Sequence, residues 1–298
     1  MSQPVRERGG TRAWALNALA VTLAIVLALD LATLLLLGGV HKPVAAAAPR
    51  AFANRSIAEP AAAAPTTVTT VAAPAAMAAS TGGSPRPACT APATVMVPDQ
   101  TEVAQLAANT PGSDLPGAAP DKLVPSSWYG YPSILPVIAA QPGWLEVREA
   151  QRPNGSTAWI PSGAATLSTT PYAMVLDLCT AHLMVFQGGQ EIFDFPAGIG
   201  APSDPTVPGE YFIAMTTPPP GPGYGPFVLA TSAHSDAIQS WEGMGDALIG
   251  IHGPITAYDD RLIGTSGAAI SHGCIRLHDS DLAKLSAILA GTPLQIVG

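Results

Sequence analysis

Hydrophobic positions are spread very unevenly along this chain. Residues 13–40, AWALNALAVTLAIVLALDLATLLLLGGV, are apolar almost without interruption and follow Arg6, Arg8 and Arg12. Such a stretch is long enough to span a bilayer, which takes about 20 residues. A cleavable signal has a shorter apolar core of roughly 7 to 15 residues, so the pattern predicts an uncleaved transmembrane anchor behind a cytoplasmic tail at 1–12, although the alanines at 45–48 offer a small-residue cleavage site. Asp30 reads either as a helix–helix contact or as the mark of a shifted span. Lys42, Arg50 and Arg55 on the far side balance the three arginines, so the basic residues give no orientation. Residues 41–93 are Ala, Pro and Thr with hardly an aromatic side chain. That composition buries too little apolar surface to offset chain ordering, and predicts a disordered, extended linker.

Aromatic residues return at 94–168, with Trp128, Tyr129 and Tyr131, then WLEVREAQRPNGSTAWI at 144–160. Asn154-Gly155 between two alternating runs signals a β-hairpin. The Gly-Trp-Leu-x-Val run, with a second Trp past the turn, resembles bacterial SH3-like domains and implies a small β domain. Trp144 and Trp159 read equally as barrel core and as the lining of a peptide groove.

Beyond Tyr172 short strands succeed one another as AMVLDL, HLMVFQ, EIFDFPAGIG, GEYFIAMTT, PFVLATSA and ALIGIHG, separated by Gly/Pro/Asp turns as in sandwiches and barrels. A single helix is predicted from Ser280 to about Leu289. Asp279 is placed to cap it, Leu282, Leu285, Ile288 and Leu289 share one face, and Gly291 and Pro293 end it. LQIV then forms a last strand. The expected fold at 170–298 is therefore mainly β and sandwich-like, with one helix in its C-terminal region.

Charge sharpens this division. Only 11% of residues are charged, where soluble domains carry about a quarter. Of 13 Lys/Arg, seven precede residue 90; of 21 Asp/Glu, only Glu7, Asp30 and Glu59 do, which leaves +4 before that point and −12 after it. A folded part so acidic has no source for the counterion release that drives nucleic-acid binding, so DNA and RNA are not expected partners.

Cysteines stand at 89, 179 and 274. An extracytoplasmic location favours oxidation, and a Cys89–Cys179 bridge is expected, leaving Cys274 free. Cys274 lies in SHGCIRL at 271–277, with His252, His272 and His278 near it in sequence. A thiolate forms at neutral pH only beside an imidazole or another positive field. Gly273 permits a tight turn that aims backbone N–H groups at one point, as an oxyanion requires.

GIHG, 18 residues between His252 and Ser271, SHGCIRL, a helix and a terminal strand, with PTVPGEYFI at 205–213 upstream, closely resemble the L,D-transpeptidase catalytic domain. The resemblance implies that Cys274 is the nucleophile and His252 its general base, oriented by the backbone carbonyl of Gly253. It makes His272 a structural or oxyanion-side residue, and gives Gly273 and Cys274 the N–H groups that face the oxyanion. Arg276 and Lys284 are, with Arg261, the only cations after residue 170. The Arg276 fork suits a substrate carboxylate, or else an ion pair with Asp279 or Asp281. Tyr224 and Ser271 are further candidate substrate contacts, Trp241 is a candidate for core, surface or peptide packing, and His234 for an outer position. The implied activity is formation of 3→3 crosslinks between peptidoglycan stem peptides through a cysteine acyl-enzyme, without cofactor or metal, by a membrane-held enzyme whose catalytic domain is outside and open to carbapenem-type inhibitors. Three other readings remain: an L,D-carboxypeptidase or endopeptidase using the same acyl-enzyme, a non-catalytic wall-binding protein, and a zinc site of His252, His272 and Cys274, which lacks the short ligand pairs usual for zinc.

Overall fold

A computed structural model describes residues 95–240 and 246–298. The expected span, the linker, Cys89 and Trp241 lie outside these residues. Among the described residues, no helix is long and apolar enough to cross a membrane.

Two sheets carry the architecture. The first has five antiparallel strands in the spatial order Thr157–Pro161, Trp144–Arg148, Ile134–Gln141, Thr101–Leu106, Ala165–Thr170. Trp144–Arg148 and Thr157–Pro161 form the expected hairpin, with Leu145 opposite Ile160 and Val147 opposite Ala158. Gly155 takes the left-handed φ of 82° that its turn demands. Trp159 is buried in this sheet's interior while Trp144 is half-buried.

The second sheet has eight strands and holds the larger core. Its spatial order is Gln190–Pro196, His182–Gln187, Tyr172–Asp177, Pro293–Val297, Gly209–Thr217, Val228–His234, Leu248–His252, Ile275–Arg276. All six apolar runs beyond Tyr172 and the terminal LQIV fall on its strands. The sandwich expected from the short turns is instead one curled sheet whose edges meet. Just past Pro196, Gly198 and Arg276 exchange two backbone hydrogen bonds, of 2.7 and 2.8 Å. Closure of this kind leaves few free strand edges.

The first sheet packs on the second through Phe212 and Ala214, whose side chains join the core of Leu106, Leu135 and Val147. Arg148 pairs with Glu210 at this seam.

Near the C-terminus the helix is shorter than its apolar pattern suggested. Asp279–Leu282 is α-helical, Ala283–Ala287 tightens to a 3-10 helix, and Ile288 is already extended. Leu282, Leu285 and Ile288 recur every third residue, the repeat of a 3-10 helix, and all three are buried; Leu289 is left 64% exposed. Asp279 does not cap this helix but begins it. A second helix, Ala257–Leu262, was not expected. Thr256 caps it, its hydroxyl accepting from the Asp259 N–H at 3.1 Å and donating to Asp259 Oδ2 at 2.8 Å.

Cys179 is disulfide-bonded and Cys274 is free. Cys89, the partner expected for Cys179, is outside the described residues.

Candidate active site

Strands Leu248–His252 and Ile275–Arg276 run parallel, with Ile251 opposite Ile275 and His252 opposite Arg276. That register sets Cys274 beside Gly250, whose N–H points at Cys274 Sγ over 3.5 Å. His252 ends the first strand and Cys274 immediately precedes the second. Both line one cavity of about 440 Å³, together with Gly250, Tyr224, His272 and Arg276.

His252 is only 2% exposed, and its Nδ1 lies 2.7 Å from the Gly253 carbonyl. A carbonyl can only accept, so Nδ1 carries the proton and Nε2 keeps its lone pair. Burial pushes the imidazole down from 6.5 to about 4; the bond to Gly253 works in the opposite direction, and the Arg276 charge adds to the depression. The Tyr224 ring lies over the imidazole with centroids 4.7 Å apart. Gly253 itself is crowded by Asp279 Oδ1, the Gly223 carbonyl and the Gly225 N–H, so no side chain fits there. Any other residue would displace the carbonyl that holds the His252 ring. Asp279, read from the sequence as a cap, instead packs against the turn at Gly253.

Burial pushes the Cys274 thiol up, opposed by the Gly250 N–H and by Arg276. The resting pair is therefore a neutral thiol and a neutral imidazole. Such a pair transfers its proton as attack occurs rather than before it.

The turn at 271–274 is stapled from within. Ser271 Oγ donates to the Cys274 carbonyl at 2.6 Å and accepts from the Gly273 N–H at 3.2 Å. Ser271, expected from the resemblance as a substrate contact, is buried and its hydroxyl is engaged within the turn. The same bond engages the Gly273 N–H, which the resemblance assigned to the oxyanion side. Gly273 has a φ of 108°, which a side chain would strain. Thr206, in the PTVPGEYFI segment, completes the staple: its hydroxyl donates to the Gly273 carbonyl and accepts from the Gly200 N–H, both at 2.8 Å. Sequence reading singled out neither Thr206 nor Gly250, since each contacts a residue distant in the chain.

Arg276 is 7% exposed and pairs with Asp259 Oδ2 at 2.9 Å, not with Asp279 or Asp281 as the sequence suggested. Strand pairing explains the difference, because Arg276 lies against His252 and the helix holding Asp259 follows His252 closely. Its Nε is buried and has no hydrogen-bond partner among the described residues. His272 is exposed at the cavity's edge. His234 is not among the residues lining the cavity. Among the described residues, no group of three His, Cys, Asp or Glu is placed to hold a metal ion.

Residues 171–296 match the model of the YkuD family, described as the L,D-transpeptidase catalytic domain. A curated relative, YkuD of Bacillus licheniformis, named for an inferred L,D-transpeptidase activity, is 27% identical over 161 residues, 54% of this chain and 84% of its own. Among solved structures, an L,D-transpeptidase from Mycobacterium smegmatis aligns with a TM-score of 0.34 at 17% identity, over 55% of this chain and 82% of its own. The structure of the L,D-transpeptidase LdtMt1 in complex with imipenem aligns with a TM-score of 0.34 at 15% identity, over 64% of this chain and 99% of its own.

Proposed function

We propose, on the premise that residues 171–296 form an L,D-transpeptidase catalytic domain, that the protein forms 3→3 crosslinks in peptidoglycan through an acyl-enzyme on Cys274. The observation that carries this reading is the shared cavity of Cys274 and His252, with Nδ1 of the histidine committed to Gly253 so that Nε2 is left to act as a base.

The thiol proton passes to His252 Nε2 as sulfur attacks the carbonyl of the third residue of a stem peptide. Electrons move onto the carbonyl oxygen, which the Cys274 N–H faces. Collapse of this tetrahedral species breaks the bond to D-Ala, and His252 returns the proton to the departing amine, leaving a thioester. The amine of a second stem peptide then attacks, loses its proton to His252, and regenerates the thiol as the new amide forms. Gly250 supports the sulfur through its N–H. His272, at the cavity's edge, is assigned to the structural or oxyanion side of the site. Tyr224 covers the base and borders the bound peptide.

Arg276 is assigned to a carboxylate of the peptide: it lines the cavity, and Asp259 holds one nitrogen of its fork, which fixes the guanidinium there. Arg276→Lys keeps the charge but loses the planar fork. The expected result is a fall of about tenfold or more in kcat/KM, consistent with the strength of charged hydrogen bonds, with melting little changed. Equal activity would dismiss the assignment.

We further place the catalytic domain outside the cell, held by the apolar segment at 13–40 and spaced by the linker, with the five-stranded sheet as an SH3-like module and carbapenems as inhibitors acylating Cys274. The deciding experiment gives the purified protein a tetrapeptide muropeptide, with and without an acceptor stem peptide, and weighs the products. A product with the mass of two joined stems less one D-Ala is expected. Tripeptide alone, formed with and without acceptor, would mean that water takes the acyl group and that the enzyme is a carboxypeptidase.

A further inference from the structure

The tip of the hairpin in the first sheet reaches the catalytic cavity from behind. Arg152 Nη2 donates to the carbonyls of Ser235 at 2.7 Å and Ile238 at 3.3 Å, and Arg152 Nε donates to Asp246 Oδ1 at 2.9 Å. Asn154 grips residue 234 on both sides of its peptide units. Its Oδ1 accepts the His234 N–H at 2.8 Å, and its Nδ2 donates to the His234 carbonyl at 2.9 Å. The buried His234 ring adds a contact of 2.8 Å from Nε2 to the Ala150 carbonyl.

The backbone held in this way is cavity wall. Ser235, Ile238, Ala247 and Leu248 border the same space as Cys274 and His252. Within the wall, the Ser235 N–H bonds the Ala247 carbonyl at 2.9 Å, the Ile238 N–H bonds Ser235 Oγ at 3.1 Å, and the Ala247 N–H bonds Asp246 Oδ1 at 2.8 Å. One guanidinium therefore gathers acceptors from both ends of the 235–246 segment, at spacings fixed by its planar fork. Although burial pushes the Asp246 carboxyl up, the bonds from Arg152, His234 and the Ala247 N–H outweigh it and hold the group below its usual range. Removing the cation would leave that carboxylate half-buried without its main partner.

We propose that Arg152 and Asn154 are positioning residues for the catalytic site: from the neighbouring sheet they set the spacing of the wall made by Ser235, Ile238 and Ala247, and so the seating of the donor stem peptide against Cys274. The substrate named here rests on reading the cavity as the stem-peptide site; the positioning of the wall does not. The first sheet thus braces the wall of the catalytic cavity.

The test uses the full chain carrying Arg152→Gln or Asn154→Ala. For each variant, KM for a tetrapeptide muropeptide should rise about tenfold while kcat stays within about twofold, since a small displacement of a binding wall is felt in substrate placement. Alkylation of Cys274 by iodoacetamide, a reagent too small to need the wall, should match the unaltered protein, and the melting temperature should fall by only about 2 to 6 °C, the local cost of the lost hydrogen bonds. Amide hydrogen exchange at 235–238 and 246–248 should quicken severalfold, with 172–177 unchanged. Unaltered KM and exchange would overturn the proposal, and so would parallel losses in KM and alkylation with a fall in melting beyond that range, which mean general loosening. If the unaltered protein leaves the tetrapeptide intact, the functional reading fails, and the exchange measurement still decides whether Arg152 and Asn154 set the wall.

Discussion

Cys274→Ala is expected to bring muropeptide turnover to background, a loss on the order of 10⁴-fold or more, because without sulfur there is no acyl-enzyme and only binding and oriented dipoles remain. The loss should come without unfolding. Cys274 is half-buried, the hydrogen bond to its sulfur is a long one of 3.5 Å, and the turn around it is held by Ser271 and Thr206 through backbone atoms that alanine keeps. Exposure to a carbapenem separates chemistry from mere binding. The unaltered protein should gain the mass of one adduct, located on the 271–277 segment, and the variant none. A scaffold that binds cell wall without catalysis predicts no adduct in either protein. Turnover in Cys274→Ala above about one part in a hundred of the unaltered rate would end the cysteine mechanism, since removing a covalent nucleophile costs far more than about 10²-fold.

Legibility in the sequence followed the distance over which each feature acts. The strands between Tyr172 and His252 show in the chain because short apolar runs and the Gly/Pro turns between them are local, and Cys274 and His252 show because their motif packs several chemically unusual residues into a few positions. What escaped was set by partners far along the chain. Thr206 lies 67 residues from the Gly273 carbonyl it bonds, Arg152 reaches Asp246 across 94, and neither pairing leaves a periodic trace. Arg276 was offered Asp279 and Asp281 as neighbours in sequence, whereas parallel pairing with His252 brings it to Asp259. Sequence reading also missed the closing of the sheet, because two backbone bonds at Gly198 do it without any distinctive side chain. The helix error has a different origin. A face of Leu282, Leu285 and Ile288 fits both 3.6 and 3.0 residues per turn, and only burial decides between them.

His252→Gln should lower kcat/KM by about 10² to 10⁴-fold, the usual cost of losing a positioned base, and the pH behaviour of the unaltered enzyme should show why that base is unusual. An ordinary imidazole would switch the enzyme off as pH falls through 6.5. Here burial holds the folded-state value at about 4, so Nε2 stays unprotonated and kcat/KM should remain flat from neutrality down to nearly that pH. Stability carries the same signature with a definite sign. The unfolded chain protonates His252 near 6.5 and the folded one only near 4, so the folded state binds fewer protons between those values. The stability tied to the neutral ring is complete above 6.5 and drains away as pH drops toward 4, by about 3 kcal/mol for a displacement of this size. His252→Gln removes the titration. Its melting temperature should therefore fall less than that of the unaltered protein between pH 7 and pH 4, even though Gln packs less well against Tyr224 at neutral pH. An acid limb of kcat/KM centred near 6.5, or equal acid sensitivity of melting in the two proteins, would show that His252 titrates as a solvated imidazole and would remove the physical basis for its role as the buried base.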